Sequence, residues 1–413
     1  MKLVIYFNFV YYAYAFKFSK FFQFDNIADN VGDELFSLEK SLNHRIDKVD
    51  YRQYTKRPRL DDLNHRGQYT WYPIGFATDF SKTPKRVTVW DINYIVWRDN
   101  AMYYAMQDAC THQGSSFLNG PTCENTIACP YHGYVFDGTN GELKQIPGLP
   151  HMESSIYTIN TFKVVEKGDI VYLNTVPLLL KSLRNIIDES EIFVEPEFYD
   201  KSQRAISLEQ TFEHYAKFVT VNSLDICHIG FVHTFGNRQN PNPLETSKIL
   251  SVNDKETHYK IVYEYLAGEN SLVNKVYKYN KIIVENEYAL PHSTVARVRF
   301  GEWTSTIITH ALPVSKFKTK LFVKAYRSYW SYDLTDMRYF LAIPILALIN
   351  VLGDLLTKTT MESTLAEDKS IVDNIDKTYE GMHGKFSIIY DLFSNHYRSN
   401  YKALYEQGKT DVD

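Results

Sequence analysis

The stretch CTHQGSSFLNGPTCENTIACPYHG, residues 110–133, decides how the rest of the chain is read. It carries a C-x-H pair, Cys110 and His112, and a C-x2-H pair, Cys129 and His132, separated by sixteen residues. With 13 histidines in 413 residues, two falling at these offsets by accident is roughly a one-in-a-thousand event. Zinc is the rival ion, since two Cys and two His bind it tetrahedrally, but zinc fingers keep like ligands together as C-x2-C and H-x3-H. One Cys and one His in each loop suits instead a two-iron two-sulfur cluster in which one iron takes two thiolates and the other two imidazoles. Gly114 and Gly133, beside the histidines, let the backbone come close and leave N–H groups free for the sulfurs.

Outward from this stretch, the flanks alternate with a period of two. Val87–Trp90 and Tyr94–Trp97 read as strands, and Phe162–Leu173 as a hairpin turning at Lys167-Gly168-Asp169. The Cys-, His-, Gly- and Pro-dense run 110–150 then projects as loops from a small all-β module. We place an N-terminal extension at 1–64, the iron-sulfur domain at 65–177 and a second domain at 178–413. A helix is predicted from Leu208 to His228. Strands follow at 260–265, 281–285, 295–300 and 321–326, with helices at 363–379 and 387–405. The fold class is α+β: an all-β domain, then an antiparallel sheet with helices packed on one side.

Composition bounds the function. A formal net charge of −4 without a basic run argues against nucleic acid as a partner. Four cysteines are too few for a disulfide framework in a chain of this length. A reducing compartment follows, either the cytoplasm or the interior of an organelle, with Cys123 read as a free thiol. Two apolar runs bear on membranes. Leu3–Phe16 faintly resembles a signal or anchor, and Tyr339–Leu352, broken by Pro344, falls short of the roughly 20 residues that span a bilayer. Membrane association is not favoured, and the second run is read as a buried helix.

The second half holds another constellation, Asn222-x2-Asp225-x2-His228-x4-His233. Spacing of three sets Asn222, Asp225 and His228 along one helical face, with His233 following past Gly230. Two histidines are two-thirds of a facial triad that holds Fe(II) and leaves positions open. The carboxylate must come from elsewhere, and spacing alone permits Asp354, Asp368, Asp373 or Asp376.

Residues 110–132 resemble the Rieske domain of Rieske-type oxygenases and ferredoxins. The respiratory branch adds one Cys to each loop, and this chain has Ser115 and Tyr131 in those places. Glu367-Asp368-Lys369-Ser370-Ile371-Val372 is similar to the E-D-x2-I element of the vanillate demethylase and chlorophyll-pathway oxygenases. The resemblance covers about 66–376 and implies an oxygenase alpha subunit with Asp368 as the third iron ligand. It implies dioxygen activated at mononuclear Fe(II), with electrons from the cluster, for monooxygenation, demethylation or desaturation of a hydrophobic ring substrate (aromatic, sterol or tetrapyrrole). It further implies a homotrimer in which the Asp225 carboxylate bridges His228 to the second cluster histidine, His132, of a neighbouring subunit. A separate reductase or ferredoxin donor is needed, because no dinucleotide-binding glycine motif or further cluster spacing remains. The competing readings are an electron-transfer protein with a degenerate iron site and a zinc-stabilised binding module.

Overall fold

Alternating apolar residues on either side of the cysteine loops build one sheet. The computed structural model describes residues 70–149, 157–179, 188–335, 341–377 and 388–405. The N-terminal extension with its Leu3–Phe16 run therefore lies outside the described residues, as do positions 339–340, 378–379 and 387.

In the front half, β1 (Trp71–Phe76), β2 (Lys85–Val89), β3 (Ile92–Asp99) and β4 (Met102–Gln107) precede the loops. Four short strands follow, β5 (Thr122–Cys123), β6 (Thr126–Ala128), β7 (Val135–Asp137) and β8 (Leu143–Gln145), and the hairpin β9 (Thr161–Lys167) and β10 (Ile170–Pro177) closes the half. The main sheet has the order β1-β10-β9-β4-β3-β2, and β5-β6-β7-β8 form a second, four-stranded sheet that carries the cysteine loops. The predicted hairpin turn is present, with Gly168 and Asp169 in the left-handed region at φ 57° and 63°.

The back half begins with a correction. The segment predicted as a helix from Leu208 to His228 starts as strand β11 (Arg204–Phe212), whose exposed positions alternate along Arg-Ala-Ile-Ser-Leu-Glu-Gln-Thr-Phe. Its period of two matches a strand with one face against the core. Only α1 (Ala216–Leu224) is helical. A single turn, α2 (Ile229–Val232), follows after a break at Asp225. Then come β12 (Glu245–Thr246), β13 (Leu250–Ser251), β14 (His258–Leu266), the turn α3 (Leu272–Lys275), β15 (Lys281–Ala289), β16 (Ser293–Phe300), β17 (Trp303–Ser315) and β18 (Lys318–Arg327). These make an eight-stranded sheet in the order β11-β18-β17-β16-β15-β14-β12, with β13 paired to β14. Two helices end the described chain, α4 (Ile343–Val372) and α5 (Leu392–Tyr405).

The second apolar run is not the buried helix expected of it. It leads into the start of α4, and Leu341 before the helix and Ile345, Leu348, Val351, Leu352 and Leu355 within it are all exposed. The inward strip there is instead small and polar, with Asn350, Gly353 and Thr357 buried. The cause is Arg327, a fully buried guanidinium that donates to the Asn350 carbonyl at 2.8 Å and to Asp354 at 2.7 Å. A Cβ on Gly353 would sit 2.5 Å from that guanidinium, so the helix can approach only through a glycine. Among the described residues α4 is also the one helix long and apolar enough, by length and composition, to cross a membrane.

The halves share a core. Tyr72, Val87, Val89 and Leu173 of the front sheet pack with Leu312 and Phe322 of the back sheet, each fully buried apolar side chain contributing about 1.5–3 kcal/mol. Backbone N–H groups of Trp90 and Asp91 donate to Pro313 and Val314 at 2.9 and 2.8 Å. Lys324, 2% exposed, donates to the Gly168 carbonyl at 2.7 Å and pairs with buried Glu195. The cysteine loops and the second constellation therefore belong to one compact unit.

Candidate metal centres

The two cysteine loops are near copies of each other. In the first, Cys110 N–H donates to Ser115 O at 2.8 Å and Gly114 N–H to Cys110 O at 2.7 Å; in the second, Cys129 N–H donates to Tyr134 O and Gly133 N–H to Cys129 O, both at 2.8 Å. Gly114 and Gly133 both sit at φ 74°, where a side chain would be strained. Asp108 anchors the first loop by accepting from Phe117 N–H at 2.7 Å and from the Ser116 hydroxyl at 2.8 Å.

Cys110 and Cys129 are buried, at 3% and 2% exposure, while His112 and His132 lie at the surface. The two Nδ1 atoms stand 3.2 Å apart. Burial, assisted by the adjacent Cys129, pushes the Cys110 thiol up to about 11 against the pull of backbone N–H groups. Two buried thiols and two converging imidazole nitrogens fit a positively charged iron centre, which holds such sulfurs as thiolates. Cys123 is exposed and unpaired, as expected of a free thiol.

In the back half, His228, His233 and Asp368 bring one ligand atom each within 4.8 Å of one another. The Asp368 carboxylate lies 3.5 Å from His228 Nε2 and 3.6 Å from His233 Nε2. Of the four acids that spacing left open, this is the one the fold carries to the histidines. Asp354 is taken by Arg204 and Arg327, and Asp373 by Lys369 and the Glu213 N–H. Leu365 and Val372 bury the same stretch of α4 against Phe212, Ala216 and Val219, while Ile371 points outward.

The histidines are aimed by their other nitrogens. His228 Nδ1 bonds the Asp225 carbonyl at 2.7 Å, and His233 Nδ1 bonds the Glu367 carboxylate at 3.0 Å. Each bond places the proton on Nδ1 and turns the Nε2 lone pair toward Asp368. Asn222 donates to Asp368 Oδ1 at 3.1 Å. Burial opposes charge on both rings. For His228 the hydrogen bond and charge of Asp368 outweigh it and raise the pKa, whereas for His233 burial prevails over Asp368 and the pKa is lowered.

Asp225 stands differently from the sequence expectation. It caps α1 in an extended conformation, so Asn222, Asp225 and His228 do not share a helical face. Its carboxylate accepts from the Cys227 and His228 backbone N–H groups at 2.8 and 3.3 Å, which bends the chain between α1 and α2. The ring of His228 meets the carbonyl of Asp225 and not its carboxylate. Glu367 was legible in the sequence only as the neighbour of Asp368, because nothing in its spacing marks it as the support of a histidine 134 positions away.

A cavity of about 360 Å³ lies over the three residues, between the sheet and helices α1 and α4. Its sheet wall carries Ile282, Val284, Val298 and Ile307, and its helix wall runs from Leu356 to Asp368. A larger cavity of about 680 Å³ occupies the other face of the sheet. There Arg297 bonds Glu197 and Glu287 and reaches Glu285 at 3.0 Å. That cavity is lined by ion-paired side chains and touches neither metal constellation, so size alone does not mark the functional pocket.

Comparison with known proteins bears on the front half and on the fold. Residues 70–163 match the family model described as the Rieske [2Fe-2S] domain. The chain is similar to chloroplastic choline monooxygenase of Beta vulgaris, 21% identical over 69% of this chain and 59% of that protein. It also resembles the oxygenase component of 3-ketosteroid-9-alpha-monooxygenase from Rhodococcus rhodochrous, 24% identical over 40% and 43%. The match thus spans little more than half the length of the first relative. Among solved structures, dicamba monooxygenase bound to dicamba superposes with a TM-score of 0.64 at 17% identity, covering 82% of this chain and 97% of that one. Residues 70–163 are thus a Rieske [2Fe-2S] domain, and the fold of the chain is one shared with dicamba monooxygenase.

Proposed function

We propose that the chain is the oxygenase subunit of a dioxygen-dependent system, inserting oxygen into, demethylating or desaturating a hydrophobic ring substrate. The observation that carries this is the convergence of His228, His233 and Asp368 at the floor of an apolar cavity, in a chain that also has a Rieske domain. Cys110, His112, Cys129 and His132 would hold the two-iron two-sulfur cluster, and the three back-half residues would hold Fe(II). When bound, the cluster supplies electrons and the mononuclear iron supplies dioxygen activation.

The protein's own part is positioning. The Asp225 carbonyl and Glu367 fix the tautomers of His228 and His233, Asn222 steadies Asp368, and the cavity walls keep water from the reacting face. About 360 Å³ is at the lower end of the roughly 300–1,000 Å³ of ligand sites, which suits a single- or fused-ring compound better than a tetrapyrrole. Exposed His112, His132 and Tyr131 present the cluster loops to a partner surface. That partner is a separate reductase or ferredoxin, in keeping with a relative named as an oxygenase component. A homotrimer bringing His132 of one subunit toward Asp225 of the next follows from the family resemblance.

The domain limits remain 1–64, 65–177 and 178–413. The site of action is the interior of an organelle or the cytoplasm, with a chloroplastic relative favouring the former. The test is metal analysis and oxygen uptake of purified protein with an added reductase. Iron beyond that of the cluster and substrate-dependent uptake support the reading. A Rieske spectrum without the extra iron would leave an electron carrier, and zinc in place of iron would remove the oxygenase altogether.

A further inference from the structure

Polar side chains lining the cavity are mostly spoken for. The Thr294 and Thr309 hydroxyls bond each other at 2.6 Å, Thr357 bonds the Gly353 carbonyl at 2.8 Å, and Asn222 bonds Asp368. Asn286 is an exception: it is 3% exposed, lines the cavity, and its side-chain oxygen has no partner among the described residues. On β15 its cross-strand neighbours are Ile261 and Ala296. An amide oxygen left bare in an apolar wall is costly unless a ligand pairs with it.

A trapped water is a poor substitute, because buried water needs two to four polar partners and both neighbours across the strands are apolar. The other orphan in the wall is the Tyr265 hydroxyl. Tyr265 faces Ile282, four positions along β15 from Asn286, or roughly 13 Å at about 3.3 Å per strand residue. Both residues line the same cavity, and each carries a polar atom without a hydrogen-bond partner among the described residues. Among the described residues the lining contains no Lys or Arg, and Asp368 is its one acid.

We infer that Asn286 is a substrate-anchoring residue that takes the hydroxyl or carbonyl group of an uncharged, otherwise apolar ring compound. An amide both donates and accepts, so either group is served. A carboxylate substrate would be buried without a cation, and an ammonium would find only an acid already engaged by Asn222 and two imidazoles. The inference rests on the cavity being the substrate site of the proposed oxygenase and adds the class of substrate.

Equilibrium dialysis of the purified full chain against naphthalene, 2-naphthol and 2-naphthoate reads the inference without turnover. The wild-type protein is expected to bind 2-naphthol about tenfold more tightly than naphthalene, and 2-naphthoate more weakly than either. Asn286→Leu, close in volume, should abolish the advantage of the alcohol while leaving naphthalene binding in place. Asn286→Ala should abolish the same ratio if the leucine is not accommodated. Wild-type protein that does not distinguish alcohol from hydrocarbon, or variants that keep the tenfold ratio, overturn the inference. Iron analysis of the same samples separates it from the reading beneath it. Absence of iron beyond the cluster defeats the oxygenase, whereas iron present with a ratio indifferent to Asn286 defeats only the anchor.

Discussion

The two metal constellations are built in opposite ways. The front one is gathered by two short loops between Cys110 and His132, each closed by its own backbone hydrogen bonds and a left-handed glycine. The back one joins His228 and His233, at the two ends of α2, to Asp368 on α4. A site made by local turns survives as long as its loops fold. One assembled from distant elements depends on everything that sets a helix against a sheet.

That contrast can be broken most completely at the ligands. Replacing His228 by Ala is expected to abolish mononuclear iron binding and substrate-dependent oxygen uptake while the Rieske absorption stays intact. Cys129→Ser should do the reverse, removing the cluster spectrum while the back half still takes up iron in a metal titration. If either substitution empties both sites, the two are not independent constructions.

The seam comes next. Lys324 is buried against Glu195 and the Gly168 carbonyl, so Lys324→Met leaves a carboxylate uncompensated and should cost about 3–5 kcal/mol in a urea titration. Both sites should then melt together, because the residue ties the front hairpin to the back sheet. Loss of less than about 1 kcal/mol would mean that Glu195 is solvated or neutral, counter to its burial.

Glu367→Gln tests support of a ligand rather than the ligand itself. Iron affinity should fall about 10- to 100-fold, with the cluster spectrum unmoved. An unchanged affinity would show that Glu367 does not orient His233.

The mildest effect is acid sensitivity of the back half. Burial pushes His292 down to about 3 and His310 down to about 4, whereas in the unfolded chain each titrates near 6.5. As pH drops below about 6.5, the unfolded chain binds protons that the folded chain refuses. Stability therefore falls with pH, by at most about 1.4 kcal/mol per unit for each histidine, until the folded values are reached. A His292→Gln variant should show a shallower decline of the urea midpoint between pH 7 and pH 5. Equal slopes would assign the acid sensitivity elsewhere.

Residues 110–133 made the front site legible because Rieske-type ligation is a sequence-local pattern. The alternation of the strands at 260–265, 281–285, 295–300 and 321–326 likewise announced the antiparallel sheet, since a period of two needs no knowledge of partners. The stretch 208–228 misled because Asn222, Asp225 and His228 fall at helical spacing. Only the pairing of Arg204–Phe212 with Lys318–Arg327 shows that the stretch begins as a strand. The start of α4 misled for a related reason, as an apolar run is normally turned inward. Here buried Arg327 claims the polar side of the helix and sends leucines to the surface.

By itself, then, the chain's linear order marked the candidate cluster ligands, most of the long strands and the two histidines of the back site. These are properties of residues within a few positions of one another. Spacing left four acids open and the resemblance pointed to Asp368, which the tertiary structure brings to the histidines; tertiary structure alone decided that Glu367 supports His233 and that the Asn286 side-chain oxygen stands unpaired in the cavity wall. Each depends on which side of a helix or strand meets an element far away in sequence, and that is settled by packing.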